Sequence, residues 1–404
     1  MSRSSDTAFS FRRLQVAAAV AREGGVRRAS ATLNLSQPAV SQAVANLESA
    51  LGEPLFERSS AGMFVTPSGA LFMARVRRVI GYLRSGEQEA AGGRVSDAPP
   101  LHRLATTVQW RAFLAVVEHG GYAAAARELG VSQPGVHRAA RDLERLCGRP
   151  LFRAGASGAE PTAEALALAR WAGLALREIE QGVEELRERR GFADGTVAIG
   201  SLPLARTRIV PTAVTRLLAD RPDARVRIID GPYAELLDGL LHGRIDLILG
   251  ALRLPAPAPG LRQEALFVEP LSIVVRAGHP ILANPPRSVA ALAELEWIAP
   301  NDRTPARAQF TALFRQHGTE PPRRVVECSS LVATRGLLLQ SDRAALLSAS
   351  QVPSLGGELA IAPILLPGTE RSIGVCTRDD WAPTATQARF LDLVREVAGE
   401  VAPG

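Results

Sequence analysis

Two short polar stretches of the chain carry side chains that suit contact with nucleic acid. The first stretch holds Ser36, Gln37, Pro38, Ser41 and Gln42, and the second holds Ser132, Gln133, Pro134, His137, Arg138 and Arg141. Glutamine and arginine can read the edges of bases, while serine and arginine suit phosphates. A serine N-cap and a proline in the first turn predict that each stretch opens a helix. Such helices are typical of a DNA-contacting face, although the solvated face of an ordinary three-helix bundle would carry similar residues.

Both stretches belong to an internal repeat with an offset of 96 residues. The matching segments are Gly24-Gly25 with Gly120-Gly121, Ser36-Gln37-Pro38 with Ser132-Gln133-Pro134, Leu47-Glu48 with Leu143-Glu144, and Pro54-Leu55-Phe56 with Pro150-Leu151-Phe152. Each copy predicts two short helices, a turn at Asn34 or Gly130, and a capped third helix, which together describe a helix-turn-helix. Two equivalent polar faces in one chain favour DNA binding, because linked binding units gain from effective concentration.

A longer helix is predicted after each copy. Apolar residues at three- and four-residue steps place the first within residues 69–100, where it gives way to a flexible glycine- and proline-rich joint at 86–100. The second helix, at 163–191, is too apolar to stay exposed and needs a partner. A second chain is the favoured partner, because palindromic operators reward twofold proteins. Packing against the chain's own domains is the alternative.

From Gly195 onward, strand-like and helix-like segments alternate along the chain. This rhythm predicts an open, mainly parallel α/β sheet, in which small ligands bind beyond the carboxyl ends of the strands. The candidate ligand-binding residues at these ends are Ser201, Leu202, Tyr233, Gly250, Ala251, Arg303, Ser329 and Ser330. Simpler roles are also open, since Ser329 and Ser330 could form an N-cap pair and Arg303 could form a surface ion pair.

Composition and motifs argue against an enzyme or a secreted protein. The 404 residues carry a net charge of +6, which permits nucleic-acid binding without demonstrating it. Six dispersed histidines and three scattered cysteines predict no metal, no cofactor and no disulfide framework. We find no GxSxG, P-loop or HExxH motif. Neither a signal peptide nor an apolar run of about 20 residues is recognised, which predicts a cytoplasmic protein without a membrane partner.

The run from Ala29 to Gly69 closely resembles the winged helix-turn-helix of LysR-type transcriptional regulators. The resemblance rests on the opening SQPAVS, the following Leu-Glu pair, the segment LGEPLFER and the closing TPSG. It implies that the third helix approaches the major groove through Ser36, Gln37, Pro38, Ser41 and Gln42. It further implies that Arg58 and the wing at 59–65 touch the DNA backbone.

The second copy, at 124–165, resembles the same module with departures. Ser41, Arg58 and Gly69 are replaced there by His137, Ala154 and Ala165. The wing has therefore lost one expected phosphate contact, for which Arg138, Arg141 and Arg153 could compensate. Copy two could contact DNA, which is the favoured interpretation, or it could serve dimerisation and spacing.

The C-terminal half resembles the effector domain of the same family through GRIDLILG and EPLSIVVRAGHP. The segments WIAPNDRTPAR and ECSSLVATRGLLLQSDRAALLSA look most like the branch of the family that regulates sugar uptake. The resemblance implies two α/β lobes like those of periplasmic binding proteins. The expected fold class is therefore multidomain, with two all-α winged helix-turn-helix domains, linker helices and a two-lobed α/β domain. The expected boundaries are 9–68 and 105–162 for the winged domains, 69–100 and 163–191 for the linkers, and 195–404 for the effector domain, with lobe I at about 195–270 and 377–404 and lobe II at about 271–376.

The resemblance also implies what the chain binds. Its expected partners are double-stranded DNA, a small-molecule effector that is sugar-related, further copies of the chain in a homodimer or homotetramer, and RNA polymerase. The remaining alternatives are a ligand-binding protein or an enzyme built on the periplasmic-binding fold, and a corepressor whose repeats serve protein contact only.

Overall fold

The computed structural model describes residues 10–59, 62–92, 100–155, 158–286, 288–302 and 304–402. The chain divides into two compact units, of which unit 1 comprises residues 1–196 and 241–244 and unit 2 comprises residues 197–240 and 245–404. Within the described ranges, no helix is both long enough and apolar enough to cross a membrane.

Unit 1 contains two successive sets of the same elements. In chain order they are α1 (Phe11–Glu23), α2 (Val26–Leu33), α3 (Gln37–Leu51), β1 (Phe56–Ser59), β2 (Gly62–Val65), α4 (Pro67–Ala90), α5 (Leu101–Leu104), α6 (Thr107–His119), α7 (Tyr122–Leu129), α8 (Gln133–Cys147), β3 (Phe152–Gly155), β4 (Gly158–Pro161) and α9 (Ala163–Arg189). Apart from the short α5, each set has three helices, an antiparallel two-stranded hairpin and a long helix.

Local sequence explains where these helices begin and turn. The tight turn between α2 and α3 uses Asn34 at a φ of 52°, a left-handed conformation that asparagine tolerates. Gly130 takes the equivalent place at a φ of 62°. The long helices open on equivalent caps, since the Thr66 Oγ1 accepts from Gly69 N at 2.9 Å and the Thr162 Oγ1 accepts from Ala165 N at 3.2 Å.

A glutamate fixes each hairpin to the helix before it. In the first set, Leu55 N and Phe56 N donate to the Glu48 carboxylate at 2.8 and 3.0 Å. Glu144 accepts from Leu151 N and Phe152 N at 2.8 and 3.1 Å in the second. The repeated Leu-Glu pair is therefore structural: the leucine is buried and the glutamate orients the hairpin relative to α3 or α8.

The apolar face of α9 packs against α4 of the same chain, as an antiparallel helix pair. Gly86 of α4 faces Trp171, near the start of α9, and Gly182 faces Phe72 and Arg75. Within one chain α9 thus has an internal partner, which was the alternative to a second chain. The predicted flexible joint from residue 86 was also wrong at its start, because packing against α9 holds α4 helical as far as Ala90.

Unit 2 has two five-stranded sheets with helices on them. Its elements are β5 (Thr196–Ser201), α10 (Pro203–Thr207), α11 (Ile209–Asp220), β6 (Arg225–Ile229), α12 (Tyr233–Leu241), β7 (Leu247–Ala251), β8 (Leu261–Glu269), β9 (Leu271–Arg276), α13 (Val289–Ala293), β10 (Glu296–Ala299), α14 (Pro305–Arg315), β11 (Val325–Glu327), α15 (Leu331–Leu339), β12 (Arg343–Ser348), β13 (Leu359–Ile361), β14 (Arg371–Arg378) and α16 (Ala385–Val401). The sheet orders are β6-β5-β7-β14-β8 and β11-β10-β12-β9-β13.

The sheets are mixed, where a mainly parallel sheet was predicted. β5 and β7 are parallel, but β14 runs antiparallel to β7 and β8, and β9 runs antiparallel to β12 and β13. The chain leaves the first sheet after β8, builds the second sheet, and returns through β14, so the returning strand enters in the opposite direction. We call the sheet β6-β5-β7-β14-β8 with its helices lobe I, and the sheet β11-β10-β12-β9-β13 with its helices lobe II. The chain re-enters lobe I with β14, which begins at Arg371. The predicted boundary between lobe II and the last part of lobe I, between residues 376 and 377, therefore lay too late in the chain.

Candidate nucleic-acid interface and ligand cleft

The first polar stretch lies along one face of α3. Its exposed or half-exposed members are Ser36, Gln37, Pro38, Ser41 and Gln42. The Ser36 Oγ accepts from Ala39 N at 3.3 Å and caps the helix. Gln42 donates to the Asn46 Oδ1 at 2.8 Å, which orients two amide side chains on the same surface. The buried positions of α3 are Val40, Val44, Leu47 and Leu51, so the polar face is directed away from the core.

The second polar stretch lies on the equivalent face of α8. The exposed members are Ser132, Gln133, Pro134, His137, Arg138 and Arg141. An open surface groove of about 700 Å³ is lined by Gln133, Pro134, His137, Arg138, Arg141, Asp142 and Arg145. The ring of His137 packs edge-on against Tyr122 at 4.8 Å between centroids, and Arg141 is ion-paired with Glu144. Tyr122 and Glu144 therefore orient two side chains of this face, His137 and Arg141.

Glu144 stands between the α8 face and the hairpin. Burial alone would raise the pKa of its carboxyl, but hydrogen bonds from Leu151 N, Arg141 and Phe152 N outweigh burial and hold the pKa below its usual range. Because the folded pKa is depressed, the stability that Glu144 contributes is present above the unfolded value of about 4.3 and is lost as the pH falls through the folded value.

Replacement Glu144→Gln is expected to destabilise the second helical set by about 1 kcal/mol at neutral pH, because the amide cannot replace both charge-assisted bonds. The difference from the natural chain should shrink as the pH falls below about 4. Urea unfolding at several pH values measures it. Glu128, exposed on α7, offers Glu128→Gln as the control, and a pH-independent loss in Glu144→Gln would contradict the assignment.

The hairpins differ in the residues they present. Arg58 is exposed on β1, opposite Met63 of β2. In β3 the equivalent position is Ala154, and Arg153 beside it is exposed. Part of the predicted wing, residues 60 and 61, lies outside the described residues. The first hairpin thus keeps the arginine expected to meet a phosphate, and the second carries an arginine one position earlier.

In lobe I, the predicted residues Ser201, Leu202, Gly250 and Ala251 meet at the carboxyl ends of β5 and β7. Ser201 ends β5 with 0% of its surface exposed, and its Oγ has no hydrogen-bond partner among the described residues. Tyr233 opens α12, and Arg253 lies 3.7 Å over its ring. Its buried hydroxyl likewise has no partner in the part of the chain that the structure describes. Burial raises the pKa of Tyr233, so the phenol stays protonated at neutral pH and can donate.

Position 250, in β7, requires glycine because Leu202, the residue after β5, lies very close to its backbone. Its φ is 143°, and a Cβ there would lie 2.5 Å from the Leu202 Cβ. Leu202 N donates to the Leu249 O at 2.9 Å, and Ala251 follows half-buried at the end of β7. The structure therefore brings together Ser201, Leu202, Gly250 and Ala251, whereas Tyr233 contacts Arg253, two residues beyond β7.

The lobe II members have local roles. The Ser330 Oγ accepts from Ala333 N at 3.3 Å and caps α15, while Ser329 is exposed. This is the simpler N-cap role that the sequence left open for Ser330. Arg303 lies outside the described residues. Its neighbour Arg307 pairs with Glu327 at 3.1 Å.

Family models match most of the chain. The bacterial regulatory helix-turn-helix model of the lysR family matches residues 11–70 and again 107–166, and the LysR substrate binding domain model matches residues 190–399. The chain belongs to the LysR family of transcriptional regulators. It is a DNA-binding regulator with an effector-binding domain.

Curated relatives and solved structures agree with this membership. The HTH-type transcriptional regulator GalR of Pseudomonas putida is 34% identical over 385 residues, which cover 95% of this chain and 96% of that protein. PcaQ of Agrobacterium fabrum is 29% identical over 294 residues, 72% of this chain and 94% of its own length. GalR therefore aligns with this LysR-type regulator along nearly its whole length, whereas PcaQ aligns with 72% of it.

Two solved structures share the fold. Full-length OxyR from Pseudomonas aeruginosa superposes with a TM-score of 0.54 at 20% identity, over 71% of this chain and 97% of that one. Full-length CbnR in complex with its target DNA superposes with a TM-score of 0.51 at 25% identity, over 72% of this chain and 98% of that one.

The residues that join the two lobes of this LysR-type regulator were not predicted from the sequence. The buried Glu269 carboxylate, at the end of β8, accepts from Ser350 N at 2.8 Å and from Ser350 Oγ at 2.9 Å. Arg371, at the start of β14, donates to the Ser348 Oγ. Burial lowers the pKa of Arg371, and the nearby Glu269 charge opposes that effect. Glu269 begins the motif EPLSIVV. Its position at the end of a strand, directly before a proline, was the sequence signal that could have identified it.

Two fully buried serines of unit 2 are expected to respond oppositely to alanine. Ser201→Ala should raise the free energy of unfolding by about 1 kcal/mol, because it removes a buried hydroxyl that finds no partner in the described ranges. Ser348→Ala should lower it by about 1–3 kcal/mol, because it leaves the buried guanidinium of Arg371 without its acceptor. Both serines are 0% exposed, so the pair is matched for burial. Thermal unfolding measures both, and equal losses would contradict the absence of a partner for the Ser201 hydroxyl within the described residues.

Proposed function

We propose that this LysR-type regulator contacts DNA through both helical sets, each acting as a winged helix-turn-helix. The observation that carries the proposal is the equivalence of α3 and α8: both open on an exposed Ser-Gln-Pro segment and both are oriented by a glutamate bonded to the following hairpin. Polar side chains at the start of such a helix can reach base edges in the major groove. Arg138 and Arg153 add positive charge to the second set, which supports DNA contact over a role in spacing alone.

The second part of the proposal is a small polar effector held between the lobes. Ser201 Oγ and Tyr233 OH are buried groups that a ligand's oxygen atoms could satisfy, and such groups orient ligands in clefts of this kind. A sugar-related molecule fits this chemistry because its hydroxyls both donate and accept. Binding would draw the lobes together and change how unit 1 occupies DNA near a promoter, and with it the access of RNA polymerase. The protein would act without catalysis, in the cytoplasm, and any homodimer or homotetramer would form through surfaces other than the α4–α9 pair.

A salt series tests the DNA-binding proposal. Purified full-length protein is titrated onto labelled DNA from upstream of its own gene, and onto the same DNA in scrambled order, between about 50 and 200 mM salt. The logarithm of the binding constant should fall linearly with the logarithm of the salt concentration, and the natural DNA should bind at least about 10³-fold more tightly than the scrambled DNA. Equal affinity for both DNAs would overturn the proposal.

A further inference from the structure

The contacts between α4 and α9 occur in equivalent pairs. Because α9 repeats α4 at the offset of 96 residues, Gly86 corresponds to Gly182, and Arg75 corresponds to Trp171. A Cβ at Gly86 would lie 2.8 Å from the Trp171 Cβ, and a Cβ at Gly182 would lie 3.3 Å from the Arg75 Cβ. The contact between Gly86 of α4 and Trp171 of α9 is therefore repeated, with the two helices exchanged, by the contact between Gly182 of α9 and Arg75 of α4. This is the contact pattern of a twofold interface, in which one patch faces its own equivalent.

Two more contacts follow the same rule. Glu89 accepts from the Trp171 Nε1 at 2.7 Å, and its equivalent Glu185 accepts from the Arg75 Nε at 3.0 Å. The rings of Tyr82 and Trp171 lie 5.7 Å apart, and the equivalent pair is Arg75 with Glu178 at 2.9 Å. Each helical set is joined to its long helix through the same threonine cap, so the two sets are attached at equivalent ends of α4 and α9.

The side chains at these equivalent positions are complementary rather than identical. Arg75 is 4% exposed and donates to Glu178 and to Gln181, both of which are buried on α9. Two copies of α9 paired with each other would place Trp171 beside Glu178, with no guanidinium opposite the buried carboxylate. A buried carboxylate that loses its cation is strongly disfavoured, so charge favours α4 with α9 over α9 with α9.

The chain also ties the end of α4 to the second helical set. Arg149 donates to the carbonyls of Ala90 and Ala91 at 3.0 and 3.2 Å. The Glu87 carboxylate lies 2.6 Å from the His102 Nδ1 and accepts from His102 N at 2.9 Å. A short connection anchored at both ends gives α4 and α9 of one chain a high effective concentration for each other.

We propose that the DNA-reading form of this protein pairs α4 with α9 within one chain, so that a single chain presents both recognition helices to a two-part DNA site. A second chain was the partner expected for the apolar linker helix, and here the duplicated helix takes the place of that second chain. The inference rests on the proposed function, namely that both helical sets contact DNA.

Engineered cysteines test whether an α4 and an α9 that pack together belong to the same chain. The double variant Gly86→Cys with Trp171→Cys places the two Cβ atoms close enough for a disulfide after a small shift. Oxidation should give a bridged species of single-chain mass, and the bridged protein should bind the natural DNA within about twofold of the reduced protein. Two differently tagged chains that each carry one of the cysteines are then co-expressed. A disulfide between those chains, or loss of DNA binding on bridging, would overturn the inference.

A second pair guards against poor folding of the first. Glu89→Cys with Arg170→Cys alters two partly exposed residues that are ion-paired at the rim of the helix pair, and a short bismaleimide can bridge them. The same single-chain product and retained DNA affinity are expected, and a two-chain product again overturns the inference. The natural chain, treated identically, controls for Cys147, Cys328 and Cys376. Reduced protein that lacks selective DNA binding would instead reject the proposed function, while the bridged product would still report the pairing.

Discussion

Arg75→Ala is expected to lower the stability of unit 1 by about 3 kcal/mol or more. Burial of Arg75 alone would lower the pKa of its guanidinium, but bonds to Glu185 and Glu178 outweigh burial and raise it, so the charge is held inside the helix pair. Removing it leaves the carboxylate of the 2% exposed Glu178 with Arg78, at 2.8 Å, and removes the bond that Arg75 donates to the Gln181 Oε1. Hydrogen exchange of α4 and α9 peptides measures the local free energy of opening.

Arg77→Ala is the matched control, because Arg77 lies two positions along the same helix and is exposed. It should change stability by no more than about 0.5 kcal/mol. The double variant Arg75→Met with Glu178→Leu should recover most of the loss, since apolar residues of similar volume often replace a buried ion pair without penalty. Equal effects of Arg75→Ala and Arg77→Ala would show that the buried network does not hold the helices together.

Glu269→Ala is expected to lower the stability of unit 2 by about 2–3 kcal/mol. The change removes the acceptor of both Ser350 bonds and leaves the buried Arg371 without the negative charge beside it. Because Glu269 lies where the chain first crosses between the lobes, the loss should be largest in peptides of β8, β9 and β14. Hydrogen exchange resolves those peptides.

Glu264→Ala provides a control on the same strand. Glu264 pairs with Arg395 at 2.8 Å, but both side chains are at least 40% exposed. Exposed pairs of this kind contribute about 0–1 kcal/mol. If Glu269→Ala costs no more than Glu264→Ala, the crossing between the lobes is not stabilised by the Glu269 contacts.

The helices that carry the polar faces could be derived from sequence because their signals are local. Ser36 and Ser132 act on backbone groups three residues away, and the turn at Asn34 depends on one residue's own conformational range. The 96-residue repeat then supplied an independent check, because each element had to be predicted twice. Exposure of the two polar faces followed from the apolar positions between them.

The partner of α9 could not be derived in the same way. An apolar stripe shows that a helix needs a partner but not which one, and both a second chain and α4 satisfied it. The deciding residues, Arg75 and Glu178, are 103 positions apart and read individually as surface charges. The mixed sheets were missed for a similar reason, since the direction of β14 depends on where the chain returns to lobe I. Burial of Ser201 without a partner is likewise a property of the folded lobe.

Footprinting of the natural chain, Gln37→Ala and Gln133→Ala on the same upstream DNA tests the central claim most directly. The claim is that the recognition helices α3 and α8 of one chain read two parts of one site. Each substitution should weaken binding by about 1–3 kcal/mol, and each should remove protection from a different part of the site. A Gln133→Ala variant with unchanged affinity and an unchanged footprint would contradict the claim and leave the second helical set with a structural role.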